Sequence, residues 1–378
     1  MTNTCKCRAC KSPLPTDNLI QFHNMPKSAQ FFPDKDEIDT EKGIDITLKE
    51  CKYCGLVQAI GEPVYYYRDV IRASGVSTEM MNFRLDQYKN WVEENCLQNE
   101  KVIEIGCGRG EYLQIMEQVC ANAYGLENMA ESVNRGTADG HKIYKGFVET
   151  ADYEIPGGPY KGFYIMNFLE HIPEPDVFLR GIVNNLTEDG VGIVEVPNFD
   201  MMTEKALFSE FMQDHLLYFT KNTLRNILES NGFEVISCEP VWYDYILSAK
   251  VRVRPRTTVQ NMREREDSLR SEVLDYLRMQ KAAGKRIATW GAGHQALANL
   301  ALLDMAEYID YVLDSADFKQ NKYTPATHIP IVAPDILAEG NIDLVIIMAA
   351  GYSTEISRIM DEKYPDIDKR ILGENGLV

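Results

Sequence analysis

The chain has 378 residues, a formal net charge of −18, 45% hydrophobic and 25% charged residues, which suits two or three globular domains of about 100–200 residues each. The acidic balance speaks against a nucleic-acid partner, which needs clustered Lys and Arg. No apolar run reaches the roughly 18–20 residues of a membrane helix, and the opening MTNTCKCRAC lacks the apolar core of a secretion signal. A cytoplasmic location without a membrane partner is expected, and there nine cysteines read as metal ligands and free thiols rather than disulfides.

The first segment, residues 1–72, carries two C-x-x-C pairs, Cys7/Cys10 and Cys51/Cys54, and little helical periodicity. The turn inside such a pair lets both thiolates reach one tetrahedral ion, and two pairs complete a Cys₄ set with no open position. A structural zinc module is expected, with Gly55 serving the second turn. Cys5 is a nearby spare, and Cys96, Cys107, Cys120 and Cys238 are expected to be free and mostly buried.

Residues 73–255 open with helical signals in STEMMNFRLDQYKNWVEEN, then alternate apolar runs with amphipathic stretches. The strands are KVIEIG, NAYGLE, GFYIMNF and GVGIVEV; the helices lie near 111–120, 175–186 and 220–231. That alternation predicts a parallel sheet with helices on both faces, an α/β fold. Between the first strand and its helix stands Glu104-Ile-Gly106-Cys-Gly108-Arg-Gly110, whose glycines let backbone approach a ligand without a Cβ clash. Glu104 suits a ligand bearing an amino group. Glu127, at the carboxyl end of the next strand, is placed to take both hydroxyls of a ribose.

Residues 256–378 begin with a charged amphipathic helix, 258–283, whose Val259, Met262, Leu269, Val273 and Leu277 share a face. A second alternating unit follows, with strands in RIATWGAG, IDYVLD and DLVIIMA and helices at 294–303 and 353–363. Its Gly291-Ala-Gly293-His294-Gln-Ala296, with Asp314 ending the next strand, reads alone as a dinucleotide fingerprint. An NAD-dependent oxidoreductase, a cofactor-free Rossmann-like domain and a diphosphate site at a helix N-terminus are all compatible with that loop.

The order of EIGCGRG, GLE, FVE and MNFLEHI resembles the class I S-adenosylmethionine-dependent methyltransferases. The resemblance implies that Glu104, Gly106, Gly108 and Gly110 line the methionine side of the cofactor and that Glu127 binds its ribose. It puts Phe147, Val148 and Glu149 near the adenine, and Met166 and Asn167 beneath the cofactor. His171, in LEHIPEP, is expected to be a loop or packing residue. The cysteine pairs with CGLVQ, then EVPNF, DHLLYFT, WGAGHQA and THIPI, resemble over nearly the whole chain the nucleotide-sugar C-methyltransferases acting on dTDP-linked keto-deoxysugars. In that family the last domain holds the nucleotide sugar, so Gly291, Gly293, His294 and Asp314 become substrate-binding residues and no nicotinamide is used. His215 falls on the family's catalytic base and Asp214 on its acidic partner, while Met212 replaces a tyrosine. The segments DYILSAKVRVRP and MAAGYSTEI also depart from the family pattern, on the acceptor side. A histidine fits this chemistry, because an imidazole near pKa 6.5 is largely unprotonated at neutral pH and can form an enolate next to a ketone. Methylation of a hydroxyl or amine, on a sugar or another nucleotide-linked metabolite, and a non-catalytic sugar-nucleotide-binding protein are the other readings.

Overall fold

The computed structural model describes residues 5–27, 32–69 and 76–378. The first four residues and the expected boundary at 72–73 lie outside the described residues. The chain divides into two compact units, Met1–Pro255 and Arg256–Val378. No helix among the described residues is long and apolar enough to cross a membrane.

The first unit starts with three strands, β1 (Ile20–Met25), β2 (Ile44–Glu50) and β3 (Val57–Ala59), then helix α1 (Thr78–Glu94). There follow β4 (Lys101–Ile105), α2 (Leu113–Met116), β5 (Asn122–Glu127), α3 (Ala130–Ala138), β6 (Ile143–Lys145) and β7 (Tyr160–Met166). It closes with α4 (Pro175–Asn184), β8 (Leu186–Pro197), α5 (Phe199–Glu204), β9 (Leu217–Tyr218), α6 (Lys221–Ser230), β10 (Phe233–Val241) and β11 (Ile246–Val253). Two sheets result. A small one has the order β1-β2-β3-β9, antiparallel throughout. The large one runs β10-β11-β8-β7-β4-β5-β6. Its strands β8 to β6 are parallel, and β11 inserts antiparallel between β8 and β10. β4 and β7 are buried almost end to end, as central parallel strands covered on both faces must be. The strand order reverses at β4, so a crevice opens at the carboxyl ends of β4 and β7.

The expected helix at 111–120 is regular only over Leu113–Met116. Its backbone still coils, with Gln114 N–H to Gly110 O at 2.9 Å and Cys120 N–H to Met116 O at 2.9 Å, but bonds of shorter span interrupt the α pattern between them.

The second unit comprises α7 (Gln260–Ala282), β12 (Ile287–Trp290), α8 (His294–Leu302), β13 (Tyr311–Leu313), β14 (Lys322–Tyr323), β15 (Pro330–Val332), β16 (Leu344–Ile347), α9 (Ser353–Lys363), β17 (Asp368–Gly373) and β18 (Gly376–Leu377). Its sheet has the order β14-β15-β13-β12-β16-β17-β18, parallel except for the two edge strands. Only the second half of α7 packs as its pattern suggests: Val273 and Leu277 are buried, whereas Val259 and Met262 are exposed.

Helix α1 covers one face of the large sheet. Ser77 caps it by accepting the Met80 N–H at 3.1 Å, and Tyr88, Trp91 and Val92 line its buried face. On that face Arg84 is fully buried, with Nη1 2.5 Å from Glu195 Oε2 of β8. Gln87 donates to Glu195 Oε1 at 2.5 Å. Breaking a buried pair by removing one partner leaves an uncompensated charge and costs about 3–5 kcal/mol. Arg84→Ala is therefore expected to lower unfolding stability by that amount in chemical denaturation. A loss below about 1 kcal/mol would contradict the pairing, since it is no more than an exposed ion pair contributes.

Candidate active site

The loop after β4 shows why its sequence is rich in glycine. Gly106 has φ 77°, and a Cβ there would meet the Phe168 ring at 2.6 Å. Glu104 is fully buried at the end of β4. Glu127, at the end of β5, accepts the Gly108 N–H at 3.0 Å through one oxygen and the Met129 N–H at 2.7 Å through the other. The carboxylate thus ties the loop to the second strand and stands at the mouth of the crevice. Phe147 and Val148 are buried beside it, and the Phe147 ring lies 6.4 Å from that of Phe168. Glu149 is half-exposed and pairs with Arg68, whose guanidinium also lies 5.3 Å from the Phe147 ring. Asn128 donates to Asp69 Oδ1 at 2.7 Å. Residues 67–69 therefore border the expected adenine side, and nothing in their sequence singled them out. Met166 is buried at the end of β7. Asn167 follows with φ 50°, donating its N–H to Glu195 O at 2.9 Å, while its Oδ1 meets no partner among the described residues.

Three residues after β7 ends, the short turn Leu169–His171 meets the segment carrying His215. The two imidazoles pack edge to face, their centroids 4.9 Å apart. His171 donates from Nδ1 to the Asp214 carbonyl at 2.8 Å, and Leu216 N–H bonds Glu170 O at 2.9 Å. His171 sits in a turn and packs as expected, and the residue it packs against is His215. Phe168 joins the two sites, with its ring over Gly106 and 6.5 Å from His171.

Burial sets the charges here. Desolvation, with the His171 imidazole alongside, drives His215 down to about 3, so it is neutral at neutral pH and, in this closed environment, a weaker base than a free imidazole. Desolvation also lowers His171, opposed by its bond to the Asp214 carbonyl and the Asp214 charge. Burial raises Glu170 to about 8. Asp214 turns its carboxylate to Tyr66, whose hydroxyl donates to Oδ2 at 2.9 Å. Asp214 thus reaches Tyr66 and bears electrostatically on His171. At the position lacking the family's tyrosine, Met212 is held by its backbone, which exchanges two 3.3 Å bonds with the Tyr218 hydroxyl. Tyr66 and Glu170 were invisible as site residues because their partners stand far away in the chain or on a packed turn.

The four expected cysteines converge. Cys7 Sγ lies 3.6 Å from Cys54 Sγ and Cys10 Sγ 3.6 Å from Cys51 Sγ, and all four sulfurs fall within 4.8 Å of one another. Ligands about 2.3 Å from a tetrahedral ion stand roughly 3.8 Å apart, so the set fits zinc. Matching turns bring them there, with Lys11 N–H bonded to Cys7 O at 2.9 Å and Gly55 N–H to Cys51 O at 2.7 Å.

In the second unit the glycine loop again sits where the strand order reverses, after β12. Gly291 has φ 124°, and a Cβ would meet the Met348 carbonyl oxygen at 2.7 Å. Asp314 accepts from Ala292 N–H at 2.9 Å, Ala316 N–H at 2.9 Å and Lys319 Nζ at 2.8 Å. Burial pushes its pKa up, but Lys319 and the two backbone donors outweigh that and hold it below the ordinary value. A cavity of about 530 Å³ is lined by Gly293, His294, Asp314, Lys319 and Tyr352, among others.

Residues 81–238 match the family model for a methyltransferase domain, and residues 249–367 match the model for a C-methyltransferase C-terminal domain. The chain is 24% identical over 387 residues to the C-methyltransferase NovU of Streptomyces niveus, covering 93% of this chain and 91% of that one. It is 30% identical over 179 residues to a ubiquinone biosynthesis O-methyltransferase of Burkholderia thailandensis, covering 41% of this chain and 73% of that one. Among solved structures, the magnesium protoporphyrin IX methyltransferase of Synechocystis PCC 6803 is 15% identical with a TM-score of 0.38, covering 48% of this chain and 90% of that one. With a methyltransferase model over the middle of the chain, a C-methyltransferase model over its last part and two methyltransferase relatives, the chain belongs to the S-adenosylmethionine-dependent methyltransferases.

Proposed function

We propose that the protein methylates a carbon of a nucleotide-linked keto-sugar, with His215 as the base. The observation that carries this reading is the His215 imidazole packed against a second histidine, one aromatic ring away from the cofactor loop. S-adenosylmethionine supplies an electrophilic methyl group. His215 takes the proton from the carbon beside the ketone. The resulting enolate carbon bonds to the methyl group as the methyl–sulfur bond breaks, leaving S-adenosylhomocysteine and a protonated imidazole. Glu104 and the glycine loop hold the methionine portion, and Glu127 holds the ribose. Phe147, Val148 and Glu149 border the adenine, and Met166 and Asn167 lie beneath the cofactor. The loop at Gly291 and Gly293, with His294 and Asp314, is the proposed seat of the nucleotide's diphosphate, its amides and Lys319 meeting the negative charge. The relationship to an O-methyltransferase over the middle of the chain supports a second reading, transfer to oxygen by positioning alone. NMR of the product distinguishes carbon from oxygen as the methylated atom.

Three outcomes follow. Glu127→Ala is expected to weaken S-adenosylmethionine binding roughly 10- to 100-fold, as loss of a charge-assisted hydrogen bond does, with the fold retained; calorimetry giving an unchanged affinity would place the ribose elsewhere. His215→Ala is expected to cut turnover by about 10²–10⁴ while cofactor affinity stays within twofold. A variant that methylates at the wild-type rate would remove the enolate mechanism. Finally, Cys7, Cys10, Cys51 and Cys54 are proposed to hold one structural zinc that survives dialysis. Cys51→Ser is expected to lose it in elemental analysis and to lower turnover as well, because the strand after His215 rests on the cysteine-bearing segment. Purified folded protein with no bound metal would refute the zinc.

A further inference from the structure

Glu170, His171 and His215 are close enough to act as one set. Each offers one ligand atom, and the three atoms lie within 4.8 Å of one another. Neighbouring ligands about 2.1 Å from a divalent ion stand roughly 3.0–3.4 Å apart, so small side-chain rotations would bring these three onto a common centre.

Three features of the geometry point to an ion. A carbonyl can only accept, so the 2.8 Å bond to Asp214 O puts the His171 proton on Nδ1. Its Nε2 lone pair then faces Glu170 Oε1, 3.8 Å away. An imidazole oriented in this way by a backbone carbonyl is how ligating histidines are usually held. Next, Glu170 is 1% exposed and its Oε2 meets no hydrogen-bond partner among the described residues. A carboxyl in that position lacks the hydrogen-bond partner that buried polar groups normally have. Last, the bond from Leu216 N–H to Glu170 O at 2.9 Å locks the Leu169–His171 turn to the segment bearing His215. The ligands are therefore set by the main chain and not by mobile loops.

We propose that Glu170, His171 and His215 form a second metal site, separate from the four cysteines, for a divalent transition-metal cation of the zinc, cobalt or nickel class. Two imidazoles and one carboxylate suit such borderline ions, whereas magnesium and calcium take all-oxygen sets. Three protein ligands leave coordination positions open to solvent, so the ion loads reversibly. The ion and a proton compete for the same lone pair of His215. A loaded site therefore silences the base, and methyl transfer slows as the cation binds. Binding does not depend on the proposed function; only the effect on turnover does.

The test uses the full chain with its cysteine-held zinc in place. Co²⁺ is titrated by calorimetry and visible absorption without cofactor or acceptor, then added to turnover assays. One further equivalent is expected, with the weak absorption of nitrogen and oxygen ligands and not the intense bands of thiolates. Glu170→Gln and His171→Ala should each weaken that equivalent at least tenfold while the zinc content and S-adenosylmethionine affinity are kept. Turnover of the unaltered protein should fall in step with occupancy and return when a mild chelator is added. Absence of the further equivalent, or its survival in both variants, overturns the site. Binding that leaves turnover unchanged or raises it overturns the competition. A protein that binds Co²⁺ as described yet never methylates a keto-sugar retains the site and loses the proposed reaction.

Discussion

The antiparallel pairing of β3 with β9 links the cysteine-bearing segment to the strand that follows His215. Val57 stands opposite Tyr218 and Gln58 opposite Leu217, and Ala59 donates to Leu216 O at 2.9 Å. β9 is only two residues long, too short to hold a position alone. The residues just before it are held by the Leu169–His171 turn, through Leu216 N–H to Glu170 O and His171 Nδ1 to Asp214 O. His215 is thus gripped from both sides, by the small sheet and by the turn after β7. On the reading proposed above, an ion held by Cys51 and Cys54 would fix β3, and through β3 it would steady His215 without touching it.

Both units tether a glycine loop in the same way. An acid at the end of the second parallel strand reaches back to a backbone amide of the loop after the first: Glu127 to Gly108, and Asp314 to Ala292. The bond shapes the loop and places a carboxylate at the edge of the crevice where the strand order reverses. The two sites differ in their neighbours. Asp314 has a lysine on one oxygen, which suits a site for an anionic group. Glu127 bonds backbone amides and stands on the same sheet as the buried acid Glu104, which suits a ligand carrying an amino group and a diol.

Low polarity governs the chemistry around His215. Burial moves both histidines and Glu170 toward their neutral forms, which leaves the Asp214 carboxylate on Tyr66 as the neighbouring charge. A neutral imidazole can accept a proton or a cation, and the two proposals for His215 differ in which one arrives.

Much of this was legible in the residues themselves. The two C-x-x-C pairs specify a four-sulfur set because the spacing of each pair is local. The alternation of apolar runs with helices implies the parallel sheet, and the glycine loops with their acids mark its crevices, since backbone clearance and strand ends depend on residues within about 25 positions of one another. The insertion of β11 between β8 and β10 was not legible, and neither was the pairing of β3 with β9, because strand partners far apart in the chain leave no local period. The same limit hid Tyr66, which meets Asp214 across 148 positions, and the identity of the ring that His171 packs against. Composition and spacing determined which chemical groups the chain carries and in what order. Only the tertiary structure decided that a turn after β7 and a two-residue strand meet. That meeting depends on long-range pairing and burial, and it makes one histidine the neighbour of another.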